Sequence, residues 1–301
     1  MRERLAYVDM VRGVAVLWMI STQLLDMFTN EYNMYVEHYD FVLKYTNWLP
    51  IFLIVSGFSL NLMLDRYGRK AFLKKNIIRG LKFIAIGILL ALWCGWNLPT
   101  PFDEVVSSIG MSVLIFSILL YFIGFSTRRH YLASLFASMS CLVAFNTVFY
   151  VEGAFNPFWC LSFMIFGFIL GRLRSRVYGF FSLSSCLMNF HVVDYFGRTL
   201  GFWVLNVALV SPFFALMVFL EKFGTVSGFL GYFGRHSLFF YVFHFAIFQK
   251  LLVVTNSYNM FPFSVSVFFV ALSILALVSI ERLWYYLRFS RISMHLLHVC
   301  E

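Results

Sequence analysis

The sequence predicts an all-α protein, a polytopic bundle of about ten transmembrane helices with both termini on the cytoplasmic side. Three observations carry that expectation. Of 301 residues, 61% are hydrophobic and only 12% charged, and a soluble domain of this length has no interior large enough for 39 phenylalanines. Mean hydropathy is +0.82, which points the same way. The net charge of +9 is also gathered rather than spread: Arg66, Arg69, Lys70, Lys74, Lys75, Arg79 and Lys82 form one cluster, followed by Arg128 and Arg129, by Arg172, Arg174 and Arg176, and by Arg282, Arg288 and Arg291. Under the positive-inside rule such clusters mark cytoplasmic loops, so the basic balance calls for no nucleic-acid partner.

Apolar runs between these clusters give the crossings. The first covers 8–28, and a polar, aromatic outer loop from Thr29 to Asp40 follows. The second returns over 46–64 into the longest basic stretch, expected as an inner loop; the third covers 82–97. The fourth (108–125) ends at Arg128 and Arg129, the fifth (131–150) meets an outer loop holding Asn156 and Pro157, and the sixth (158–171) ends at the Arg172 cluster. The stretch 179–196 contains Asn189, His191 and Asp194 and is a poor lipid-facing helix, yet omitting it would put the basic tail outside, so it counts as a short crossing. Crossings over 201–220, 236–254 and 262–280 complete the bundle, and the tail from Arg282, with Trp284, Tyr285 and Tyr286, is expected as an interfacial helix. This length holds one bundle and one domain, 1–301. No cleavable signal is evident. The five cysteines are scattered and mostly within apolar runs, with neither disulfide nor metal-ligand spacing, so no metal is expected.

Polar residues inside such helices are costly and normally face protein or water. In the first crossing Asp9 and Arg12 stand three apart and can pair, and Gln23 and Asp26 repeat that spacing near the far end. Ser237, Tyr241 and His244 share one helical face at spacings of four and three. For each set, an interhelical or helix-entry contact competes with a place in a binding site.

The ordered motifs resemble a family. Arg4, Val8, Asp9, Arg12, Gly13, Ala15, Met19 and Ile20 are similar to the opening of the heparan-alpha-glucosaminide N-acetyltransferase-like membrane acyltransferases. Pro50 to Leu60, with Ser56 and Gly57, resembles that family's second helix, and Asn156 to Trp159 with Gly167 and Gly171 its proline-aromatic-glycine helix. Gly234, Arg235, Ser237, Leu238, Tyr241 and His244 resemble a helix shared with related membrane acyltransferases.

The resemblance implies transfer of an acetyl or other acyl group from cytoplasmic acyl-CoA, a co-substrate, to an extracytoplasmic sugar or glycolipid. Enzymes of this kind carry a histidine in or near the first outer loop, here His38, and an imidazole of ordinary pKa suits a base in acyl transfer. Glu37 or Asp40 would orient its ring. Arg12, held by Asp9, would face a phosphate or the pantetheine, with Arg66, Arg69, Lys74 and Arg79 on the nucleotide end. Gln23, Asp26, Asn156, Tyr241 and His244 would line the substrate side. The chain departs from the pattern at Gln23, where many relatives have histidine. Gln23 donates and accepts hydrogen bonds but cannot act as a base. An alternative is therefore a relative that has kept the bundle and lost the chemistry, serving as a structural partner in a membrane complex. Besides membrane lipids, the resemblance is compatible with a homodimer or such a complex, in a prokaryotic plasma membrane.

Overall fold

A computed structural model describes residues 5–30, 49–95, 105–122, 157–173 and 213–286. Among these residues the chain is helical apart from short connections and a single bridge between Thr29 and Phe261. Helix α1 is Ala6–Phe28, α2 Leu49–Cys94, α3 Val105–Phe122 and α4 Pro157–Leu173. Residues 213–220 are helical. Then come α5 (Gly224–Arg235), α6 (Ser237–His244), a π-helical turn (Phe245–Gln249), α7 (Lys250–Thr255) and α8 (Phe263–Tyr286).

Five stretches are long and apolar enough to cross a membrane: Ala6–Phe28, Pro50–Cys94, Val105–Phe122, Ser237–Thr255 and Phe263–Tyr286. Cys160–Arg172 is a shorter apolar helix. With so many apolar helices the chain is an integral membrane protein. The expected crossings over 131–150 and 179–196, and most of 201–220, lie outside the described residues.

Three expectations are corrected. The basic stretch after the second crossing is helix rather than loop. Helix α2 runs from Leu49 to Cys94, broken only at Gly68, whose φ of 72° and ψ of 168° suit glycine and almost nothing else. Beyond that break Arg69, Lys70, Lys74 and Lys75 are exposed while Phe72, Asn76, Arg79, Gly80 and Phe83 are buried, so the charges form the outer face of an amphipathic helix. Second, α8 continues without interruption through Arg282 to Tyr286, where a separate interfacial helix was expected. Third, residues 224–235 form a helix despite four glycines, because packing overrides their poor propensity.

The chain divides into two compact units. The first comprises 1–49, 92–96 and 223–301. Its central contact is α1 on α5. A Cβ at Gly13 would collide with the Leu230 carbonyl, and one at Gly234 with the Asp9 carbonyl, so two glycines let the backbones touch. The loop from Asn256 to Phe261 closes the far end of α1. Two left-handed asparagines, Asn256 and Asn259, turn it. The Asn259 and Phe261 amides then donate to the carbonyls of Met27 and Phe28, each at 2.9 Å. With its nitrogen facing α1, the Asn259 carboxamide also donates to the Asp26 and Met27 carbonyls, at 2.8 and 3.2 Å. Last-turn carbonyls that a helix leaves unbonded are thereby satisfied. Phe28, Phe261 and Phe269 stack around this junction.

The second unit comprises 50–91 and 97–222. It repeats the same device. Gly57 lies against the Met164 backbone and Gly167 against that of Ile54, and Gly80 and Gly110 bring α2 onto α3. Helix α4 opens on Pro157, whose missing N–H is harmless in a first turn. The Pro157 carbonyl accepts from Ser112 of α3 at 2.8 Å.

Candidate functional site

Within the first unit, the buried polar groups of α1 and α6 meet at Gln23 and His244, residues 221 positions apart. His244 has no exposed surface. Its Nε2 lies 2.8 Å from Gln23 Oε1, and its Nδ1 is 3.2 Å from the Phe240 carbonyl one turn back. A neutral imidazole carries one N–H. The shorter contact takes it, so Nε2–H donates to Gln23 Oε1. That bond turns the Gln23 amide nitrogen, with its two N–H donors, away from the ring. Tyr241 packs edge-on at 5.4 Å between ring centroids and Phe245 at 4.1 Å, fixing the imidazole from two sides. The π-helical turn begins immediately after His244. Such turns often occur at functional sites.

Other expected site residues fall as follows. Asp9 and Arg12 are buried, with Arg12 Nη1 3.5 Å from Asp9 Oδ1, beside the Gly234 contact. Asp26 does not join Gln23; it is exposed at the end of α1, near Tyr258. Burial and, secondarily, the Asp26 charge push the Tyr258 phenol above its ordinary pKa. In the second unit Arg66, Arg69 and Lys74 are exposed, whereas Arg79 is only 8% exposed and its Nη1 reaches Met63 Sδ at 3.6 Å. Asp65 and Arg172 pair at 2.6 Å. His38, Glu37, Asp40 and Asn156 lie outside the described residues.

A second polar cluster escaped the sequence reading. Glu281, buried on α8, accepts from the Tyr232 hydroxyl and lies 3.1 Å from His236 Nδ1. Burial first, then the bond to Glu281 and its charge, raise the Tyr232 pKa. The signal was present: Glu281 is a lone acid within a long apolar run, and Tyr232 and His236 are one helical turn apart. Among the described residues no cluster of three or more acidic, histidine or cysteine side chains is arranged to hold a metal ion.

No curated protein and no solved structure matches the chain. A family model described as "Heparan-alpha-glucosaminide N-acetyltransferase, catalytic" matches residues 4–246, well over half of the sequence. The match takes in all of α1 and ends just past His244, so both members of the buried pair fall within it. The chain belongs to the heparan-alpha-glucosaminide N-acetyltransferase catalytic family of membrane acetyltransferases.

Proposed function

We propose that this protein moves an acetyl or other acyl group from cytoplasmic acyl-CoA to an extracytoplasmic sugar or glycolipid. The observation that carries the reading is the buried Gln23–His244 hydrogen bond inside the family-matched region. Acyl transfer needs two things from a protein: a base for the proton of the attacking hydroxyl or amine, and donors for the negative charge that develops on the thioester oxygen. Gln23 is suited to the second task. With Oε1 held by His244, its amide nitrogen is oriented to donate to that oxygen, and His244 acts as a positioning residue. The base is His38, oriented by Glu37 or Asp40. The nucleophile forms its bond to the acyl carbon as the carbon–sulfur bond breaks, and CoA leaves as the thiolate.

The remaining roles follow charge and chemistry. The exposed Arg66, Arg69 and Lys74 suit the CoA phosphates, with Arg79 behind them. Arg12, held by Asp9, serves the same anionic group. Asp26, Asn156 and Tyr241 serve the acceptor. Acetyl-CoA labelled in the acetyl group, incubated with the purified protein and amino sugars, tests the reading. Labelled acetyl-sugar is the expected product, and its complete absence across acyl donors and sugars would reject it.

One observation favours a second reading. Gln23 cannot abstract a proton, and the ring nitrogen that faces it is already engaged. A bundle retained without chemistry, acting as a homodimer or as a partner in a membrane complex, is consistent with that closed pair. Stable co-purification with another membrane protein, with no thermal shift from acyl-CoA, would support this reading over the first.

A further inference from the structure

The second unit contains buried polar groups for which the fold itself supplies no partner. Asn76 on α2 is fully buried, and neither its Oδ1 nor its Nδ2 makes a hydrogen bond. Ser117 on α3 is equally buried, and its hydroxyl is equally unbonded. The register of the two helices brings these residues to one level. Ser107 Oγ reaches the Ile84 carbonyl at 3.4 Å, and Gly80 meets Gly110 and Leu114. The helices are therefore antiparallel. One turn back from Gly80 along α2 is Asn76, and one turn on from Leu114 along α3 is Ser117.

The two glycines mark where the helices approach most closely, and helices diverge on either side of such a crossing. Asn76 and Ser117 stand in the first widening beyond it, too far apart to bond each other. They form a polar notch between two apolar surfaces. Leu or Ala at these positions would pack there without an unbonded group, so the fold alone gives no reason for a carboxamide facing a hydroxyl.

The chemistry of the notch narrows its occupant. A carboxamide with both ends open needs an acceptor for its N–H groups and a donor for its oxygen. A phosphate accepts only, and would leave Asn76 Oδ1 unbonded. A secondary amide supplies one N–H and one C=O, and the Ser117 hydroxyl can bond either. Arg79, buried one turn beyond Asn76 on the same face, places positive charge beside the notch. An amide chain leading to an anionic group matches this arrangement. Of the two ends of an acyl-CoA, the pantetheine arm has the amides and the nucleotide end does not.

We propose that the Asn76–Ser117 notch between α2 and α3 binds an amide of the acyl donor's pantetheine arm. This rests on the acyl-CoA reading above, and the test separates the two. Binding of acetyl-CoA, of pantetheine and of adenosine 3′,5′-bisphosphate is measured by calorimetry on the full chain in nanodiscs. Asn76→Leu is expected to weaken acetyl-CoA and pantetheine by at least about tenfold and to leave the bisphosphate within about twofold. Ser117→Ala is expected to shift the same two ligands in the same direction. Asn76→Leu replaces an unbonded amide by an apolar group of similar volume, so the ligand-free variant should melt no lower than wild type. If it fails to fold, Ser117→Ala carries the test. Wild-type binding of acetyl-CoA with unchanged pantetheine affinity in both variants overturns the notch and leaves the donor reading standing; it is also the result expected if a trapped water were the sole occupant. A wild type that binds none of the three ligands overturns both.

Discussion

The contact between α1 and α5 allows a test in which two glycines of one helix respond with opposite sign. At Gly234 an added Cβ meets the Asp9 backbone, which cannot rotate away, whereas at Gly228 it meets nothing within 4 Å. Both are Gly→Ala changes in α5, so the gain in helix propensity, about 0.8–1 kcal/mol, largely cancels between them. What separates the variants is overpacking at Gly234, about 1–3 kcal/mol for a close-packed contact. In a chain of this size, 1 kcal/mol moves the midpoint of thermal unfolding by about 2 °C. Gly228→Ala should therefore melt at or slightly above wild type, and Gly234→Ala about 2–6 °C below Gly228→Ala. Gly13→Ala should behave like Gly234→Ala. Combining the two should cost less than their sum, because either change already forces the helices apart. Detergent-purified protein followed by intrinsic fluorescence gives the midpoints. If Gly234→Ala melts at or above Gly228→Ala, the close backbone contact is wrong, and with it the placing of Asp9 and Arg12.

Other outcomes are equally specific. Glu281→Leu leaves the Tyr232 hydroxyl and the His236 ring without their shared acceptor and should cost about 1–3 kcal/mol; Glu281→Gln, which still accepts, should cost less, and chemical denaturation would rank them. Arg172→Ala removes an ion pair whose partners remain about a quarter to a third exposed, so its stability change should stay below about 1 kcal/mol in the same assay. Tyr258 has its pKa raised in the folded chain, so the stability it contributes is fully present below the ordinary value of 10.0 and is lost as pH rises through the higher folded value. Asp26→Asn should lower that folded value, visible as earlier phenolate absorbance on alkaline titration.

The sequence made the apolar helices easy to see, because a crossing must be long and nearly free of charge. The expected 8–28, 158–171 and 236–254 differ by a few residues from Ala6–Phe28, Pro157–Leu173 and Ser237–Thr255. The basic stretch misled because charge density was taken for a loop. Its buried positions, Phe72, Asn76, Arg79, Gly80 and Phe83, follow a helical period that was visible beside the lysines. The glycines of α5 discouraged a helix there; their role becomes plain only with the Asp9 and Leu230 carbonyls in place.

The site was legible as a set of residues and not as a set of contacts. Gln23 and His244 were both singled out for being polar in apolar helices, yet no local spacing joins two residues on opposite ends of the family match. Their pairing, and the separation of Asp26 from Gln23, come from how α1 and α6 pack. Asn76 was hidden among exposed cations, and only its burial distinguishes it.

The central claim is that Gln23, held by His244, stabilises the charge on the thioester oxygen. The most direct measurement is the initial rate of labelled acetyl transfer by Gln23→Leu at saturating acetyl-CoA, with acetyl-CoA affinity measured in parallel. Loss of one such donor predicts a rate lowered by about 10²–10³ with affinity little changed. A variant as fast as wild type would contradict the claim.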